Sequence, residues 1–245
     1  MDSTTAVDVQ GDARRLQEDV RRALSSFRDR SFSTFNPSEP TLTTMTITAS
    51  LNVTHVCRDS MAIALSLVDG DGPLSTADAK PTRKRKRTSA FFNQITLRHG
   101  TKSVKVFNNG SMHVTGCTSP MQFLDIASAV CTLMTNVAGI ETCDGTDHVR
   151  VTRFEVQMIN LNFGTGVQLF LQGIRDECVA RGLVASYDAD MYPGLNVKLP
   201  CDKRRVTALI FKSGKIILTG AKAVWELEHA FDSVTDILER TLSRP

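Results

Sequence analysis

One pattern occurs twice in this chain, at a rigid spacing. Residues 106–117 read Val-Phe-Asn-Asn-Gly-Ser-Met-His-Val-Thr-Gly-Cys, and residues 210–221 read Ile-Phe-Lys-Ser-Gly-Lys-Ile-Ile-Leu-Thr-Gly-Ala. Phe107 and Phe211, Gly110 and Gly214, Thr115 and Thr219, and Gly116 and Gly220 each stand 104 residues apart. One offset, without a gap, relates all four pairs. A unit used twice in one chain predicts a pseudo-twofold molecule with a surface built from both halves.

Each copy reads as a β-hairpin, because an alternating run enters a Gly-containing turn and another leaves it. Successive strand side chains point to opposite faces. In the second copy one face carries Ala208, Ile210, Ile216 and Leu218, and the other Leu209, Phe211, Ile217 and Thr219. Both faces are largely apolar. Helices cover one face of such a sheet, which leaves the second for a partner. The alternative is a sheet buried on both sides.

The rest of the chain repeats the order. Residues 1–40 read as an N-terminal extension: Asp12 to Arg28 forms a charged helix with Leu16, Val20, Ala23 and Leu24 on one stripe, either a partner helix or a solvated tail, and Ser31 to Pro40 is a linker. Residues 41–145 form the first repeat, with a basic insertion at 69–90, and 146–245 the second. The first repeat reads strand, helix (about Arg58 to Leu67), insertion, strand (Asn93 to Arg98), hairpin (Ser103 to Thr115) and helix (about Ser119 to Val137). The second reads strand (Phe154 to Asn160), helix (about Val167 to Arg181), strands (Leu195 to Leu199 and Val206 to Thr219) and a final helix (about Ala223 to Leu242). Trp225, Ala230, Phe231, Val234, Leu238 and Leu242 recur in that last helix as a core face.

The chain has 245 residues, 41% hydrophobic and 22% charged, with net charge +3, which supports a sizeable core. No apolar run approaches the length that spans a bilayer, so no membrane partner is expected and the protein reads as soluble and unsecreted. Six cysteines without a CxxC pair read as reduced core thiols, not a metal site. Catalysis is not expected: there is no HExxH, GxSxG or P-loop, and Gly164-Thr-Gly166 is a bare GxG. No cofactor is called for.

Ala208-Leu-Ile-Phe-Lys-Ser-Gly-Lys-Ile-Ile-Leu-Thr-Gly-Ala-Lys222 resembles the second-repeat signature of the TATA-box-binding protein family. Tyr187-Asp-Ala-Asp-Met-Tyr-Pro-Gly-Leu195 resembles that family's loop between the second helix and the sheet, and Phe92 to Cys117 the first-repeat counterpart. The resemblance implies an α+β fold in which two pseudo-symmetric repeats form a saddle-shaped curved antiparallel β-sheet with helices on the convex side. It implies a transcription initiation factor that binds promoter DNA in the minor groove and bends it, the family's behaviour as a minor-groove wedge binder. The aromatic pairs Phe92 with Phe107, and Tyr192 with Phe211, are then the wedges. Thr115 and Thr219 meet bases near the pseudo-dyad, and Leu209 and Ile217 lie on the groove floor. Asn160 faces the groove, and Arg98, Lys198 and Lys215 meet phosphates. Asp188 and Asp190 keep the acidic character of the loop that engages a IIB-type initiation factor. The protein would be a monomeric pseudo-dimer, acting in the nucleus or at a viral transcription site. Its drift suggests a protist or large-DNA-virus version.

Several positions depart from the family. Met158 in the second half, and about Met45 in the first, stand where the family supplies an asparagine. Lys105 and His113 replace apolar floor residues, Ser111 a basic one, and Tyr192 a phenylalanine. Ser119 to Val137 has no Lys or Arg, so a IIA-type factor is expected to bind weakly or not at all. Arg83-Lys-Arg-Lys-Arg87 reads as a nuclear-targeting patch, an arm to phosphate, or a solvated basic loop. An alternative function keeps the fold without sequence-specific DNA binding: a decoy or regulator that binds initiation factors.

Overall fold

The repeated pattern folds into two matching hairpins. The computed structural model describes residues 8–57, 59–61, 74–76, 94–137 and 140–243. The elements are α1 (Val9–Arg28), β1 (Thr41–Leu51), β2 (Ser75–Thr76), β3 (Gln94–His99), β4 (Lys102–Phe107), β5 (Ser111–Cys117), α2 (Pro120–Thr135), β6 (Val151–Gly164), α3 (Leu171–Ala180), β7 (Val184–Asp188), β8 (Tyr192–Cys201), β9 (Arg204–Phe211), β10 (Lys215–Ala221) and α4 (Val224–Leu242). The first hairpin is β4–β5 and the second β9–β10. Each turn closes through the same hydrogen bond: Gly110 N–H donates to the Phe107 carbonyl at 3.0 Å, and Gly214 N–H to the Phe211 carbonyl at 2.9 Å. Both turn glycines have positive φ, +78° and +86°. At Gly214 a Cβ would come within 2.3 Å of the Val167 carbonyl oxygen, so only glycine suits this turn.

Chain contacts divide the protein into two compact units, one of Met1–Arg15 with Thr46–Glu155 and the other of Leu16–Met45 with Val156–Pro245. In the first unit the strand order is β2-β3-β4-β5-β1, and in the second β6-β10-β9-β8-β7. The ladders β3–β4, β4–β5, β8–β9, β9–β10 and β10–β6 are all antiparallel. The fold is α+β.

Each unit packs its helices on one sheet face. In the first, Val104, Val106, Met112, Val114, Ile95 and Leu97 are buried, as are Phe123, Ile126, Ala127, Val130 and Met134 of α2. In the second, Ala208, Ile210, Ile216, Leu218, Leu195 and Val197 are buried, and α3 and α4 pack on these strands. The alternate residues Leu209, Phe211, Ile217 and Thr219 are only half-buried, so this sheet is not enclosed on both sides. Alternation along each strand separates the two sets.

Helix α2 starts where local chemistry dictates. The Ser119 hydroxyl accepts the Gln122 N–H, and Pro120 fills the first turn, where no N–H is needed. At α4 no side chain of Ala223 caps the end. Instead the Glu226 carboxylate reaches back to the Lys222 and Ala223 N–H groups.

Several elements differ from the sequence reading. Helix α3 begins at Leu171 rather than near Val167, because Leu169 N–H is drawn to the Lys212 carbonyl, outside any helix. Tyr187 to Leu195 is a hairpin joining β7 and β8, not a loop, and β7 escaped the periodicity. Trp225 is 51% exposed and not part of the core face. It stands nine residues before the fully buried Val234, which at 100° per residue places it on the opposite side of α4. Cys117, Cys178 and Cys201 are buried, whereas Cys143 is exposed; burial pushes the Cys117 and Cys178 thiols up to about 11. The insertion with Arg83–Arg87, most of the expected helix from about Arg58, and Phe92 lie outside the described residues.

A polar clamp closes the first unit. Asn52 is fully buried after β1. Its amide nitrogen donates to the Asp144 carboxylate at 3.0 Å and the His148 carbonyl at 3.1 Å, and its oxygen accepts the Arg150 N–H at 2.7 Å. The Thr146 hydroxyl first, then the Asn52 amide, the Thr146 N–H and the Arg150 guanidinium hold the Asp144 carboxyl well below the usual carboxylate range, against the opposing effect of burial. A lowered pKa contributes stability above the unfolded value that is lost as pH falls through the folded value. Asn52→Ala is expected to destabilise the first unit by about 1–3 kcal/mol, because the buried Arg150 N–H loses its partner. Urea denaturation checks this, and the difference from wild type should shrink in acid as Asp144 protonates.

Candidate nucleic-acid interface

The helix-free face of the second unit carries most of the expected site residues. On β9 and β10, Leu209 stands opposite Ile217 and Thr207 opposite Thr219. The Thr219 hydroxyl lies 3.8 Å from the Met158 sulfur on β6, and Ile217 is also opposite Asn162. Asn196 on β8 is opposite Leu209. The result is an apolar floor of Leu209, Ile217 and Met158 with amides beside it. The Oδ1 atoms of Asn160 and Asn162 are buried without a hydrogen-bond partner.

Two aromatic rings stand at the far end of this floor. Tyr192 is 44% exposed, and its ring meets Phe211 edge-on at 6.0 Å between centroids. Gly194, paired with Phe211, makes the contact possible. A Cβ there would fall 2.8 Å from the Tyr192 ring and 2.9 Å from the Phe211 ring. Cations lie at the margin: Lys215 is exposed at the start of β10, and the Lys198 ammonium donates to the Thr207 hydroxyl at 2.8 Å. The face offers flat apolar surface, a projecting ring pair and positive charge, a combination suited to a polyanion with a groove floor of low polarity.

The same face of the first unit has the same layout and different chemistry. Phe107 is opposite Gln94, as Phe211 is opposite Gly194. Ser103 pairs with Thr115, and Arg98 is exposed on β3. Where the second unit places Leu209 and Ile217, the first pairs Lys105 with His113, and the Phe107 ring tilts against His113 at 4.8 Å. Burial first, and then the Lys105 charge, keep the His113 imidazole below its ordinary pKa.

The first strand corrects the expected register. Met45 is fully buried in the core, so it does not face the open side. Leu51 N–H bonds to the Gly110 carbonyl as Thr165 N–H does to that of Gly214, which makes Thr44 the counterpart of Met158. A shift of one residue flips a side chain to the other face, and the Thr-rich run Thr41 to Thr48 carried no apolar alternation to settle it. Sequence reasoning also passed over Asn162 and Asn196, although strand parity from Asn160 and Lys198 points to both. Asp188 and Asp190 lie at the exposed β7–β8 turn, where the Asp188 carboxylate accepts the Asp190 N–H at 3.1 Å. Among the described residues no group of three or more His, Cys, Asp or Glu is placed to hold a metal.

Known proteins match this layout. The family model described as "Transcription factor TFIID (or TATA-binding protein, TBP)" matches residues 153–241. The TATA-box-binding protein of Saccharomyces cerevisiae is 27% identical over 223 residues, covering 91% of this chain and 80% of that protein. That of Schizosaccharomyces pombe is 33% identical over 91 residues, and this alignment takes in only 37% of each. Among solved structures, Methanococcus jannaschii TBP superposes with a TM-score of 0.58 at 18% identity, covering 83% of this chain and 99% of that one. This likeness shows the shared fold.

Proposed function

From the premise that this chain belongs to the TATA-box-binding protein family, we propose that it is a transcription initiation factor that binds promoter DNA in the minor groove and bends it. The observation that carries this is the uncovered face of the second unit, where Leu209, Ile217 and Thr219 line a floor ended by Tyr192 and Phe211 and flanked by Lys198 and Lys215. Each unit's open face takes one half of the DNA element. Phe107 and Phe211 act as wedges, with Phe92 and Tyr192 beside them. Thr115 and Thr219 contact bases, Asn160 lies against the groove, and Arg98, Lys198 and Lys215 meet phosphates. Inserting a ring unstacks a base step, and the bend so produced brings more protein surface onto the DNA.

The exposed carboxylates of Asp188 and Asp190 recruit a IIB-type factor through a basic surface on that factor. Helix α2 has no Lys or Arg and offers nothing for an acidic IIA-type partner. The protein acts as a monomer, since the repeat supplies internally what a dimer would, and it works in a nucleus or at a viral transcription site. No catalytic role is assigned.

Selection from a randomised duplex library at two salt concentrations, read by gel shift and by a FRET bend assay, tests this reading. A·T-rich sites bound with a bend are expected. Weak, unselective, strongly salt-dependent binding without a bend would replace it with the decoy reading, in which only the initiation-factor contact remains.

A further inference from the structure

The two open faces share a backbone layout and differ at their centres. The second unit pairs Leu209 with Ile217, and the first pairs Lys105 with His113. No described residue accepts from or donates to either His113 nitrogen, so the imidazole is unspent. The minor-groove floor presents acceptors at every base pair, and a G·C pair adds one donor, the guanine N2 amino group. Against Leu209 and Ile217 that amino group loses its water and gains no partner, a cost that rejects it. Against a neutral imidazole it finds an acceptor nitrogen, while the Lys105 ammonium donates to the acceptors that all pairs share.

We propose that the open face of the first unit reads its half of the DNA element by hydrogen bonds from Lys105 and His113 and admits a G·C pair there, whereas that of the second unit excludes G·C. The preferred site is therefore A·T-restricted over one half and relaxed over the other. This rests on the DNA-binding reading and adds a specificity that the second repeat alone does not have. His113 stays an acceptor at neutral pH because burial and the Lys105 charge both resist its protonation. The Phe107 ring against one side of the imidazole restricts its orientation.

The test walks a single G·C pair through the selected site and measures the affinity of the full chain at each position. In wild type, G·C is expected to cost about tenfold or more in one half, a typical mismatch penalty, and less than about twofold at one or more positions of the other. The double variant Lys105→Leu with His113→Ile should extend the tenfold penalty to both halves. His113→Gln, which keeps an acceptor and a donor, should retain the asymmetry. Both substituted positions are exposed, and a thermal melt confirms that the variants fold. Equal penalties in both halves of wild type, or an asymmetry that the double variant leaves unchanged, would overturn the proposal while leaving DNA binding in place. If wild type selects no site, and Phe211→Ala leaves its binding unchanged, the DNA-binding reading itself fails and the proposal falls with it.

Discussion

Phe211→Ala combined with Phe107→Ala is expected to abolish the DNA bend and to weaken binding by about 100-fold, with the fold intact. The magnitude follows from the wedge: unstacking a base step is worth a few kcal/mol of coupled bending and contact, and about 2.8 kcal/mol corresponds to 100-fold. Both rings are only half-buried on the helix-free face, while the strand neighbours that carry the core, Val106 and Ile210, are fully buried. Truncating the rings therefore removes contacts at the DNA surface and leaves the core packed. The edge-on contact of Phe211 with Tyr192 is lost, at about 0.5–1.5 kcal/mol of stability. A FRET bend assay beside a thermal melt separates the two effects. An unchanged bend would show that these rings are not wedges. Binding of a IIB-type factor should survive, since Asp188 and Asp190 lie in a turn that neither ring touches.

The largest stability effect is expected far from that face, at Phe27. This residue is 1% exposed near the end of α1, and its ring stacks on Phe231 of α4 at 4.3 Å. Phe231 also meets Phe163 at 4.8 Å, and the Arg30 guanidinium sits 5.7 Å from its centroid. Beyond the helix the chain is latched again. The Thr34 N–H donates to the Glu239 carboxylate at 3.1 Å, the Ser33 N–H donates to the same oxygen, and Arg30 pairs with Asp232. Phe27→Ala leaves a cavity in a site framed by rigid rings, so a loss of about 3–5 kcal/mol is expected. Chemical denaturation monitored at Trp225, on α4 itself, reads it directly. A loss below about 1 kcal/mol would mean that the extension contributes little to the second unit.

The extension shows where sequence reasoning stops. Its helix was legible from the stripe of Val20 and Ala23, but the stripe runs through Ala13, Val20, Ala23 and Phe27, with Leu16 and Leu24 only half-buried. Amphipathicity says that a face wants cover; it does not name the cover. The partner is α4, more than 200 positions away in sequence, and the phenylalanines at 27, 32, 35, 163 and 231 carry no periodic relation that would join them. Trp225 was misread for a related reason: an apolar residue on a helix is a core residue only at the right angle, and Trp225 is on the wrong side.

The hairpins, their turns and the division into a buried and an open face were determined by the sequence itself. Each is local: period-two alternation separates the faces, and glycines with positive φ place the turns, so residues 106–117 and 210–221 specify them without the rest of the chain. The resemblance to a known family rested on the same segments. Tertiary structure alone decided what those segments face. It put Met45 in the core and Thr44 on the open side, because the register of β1 depends on hydrogen bonds such as that from Leu51 to Gly110 and not on the Thr-rich strand's own pattern. It also brought Tyr192 against Phe211 over Gly194, and His113 beside Lys105, through cross-strand pairings that no stretch of sequence contains.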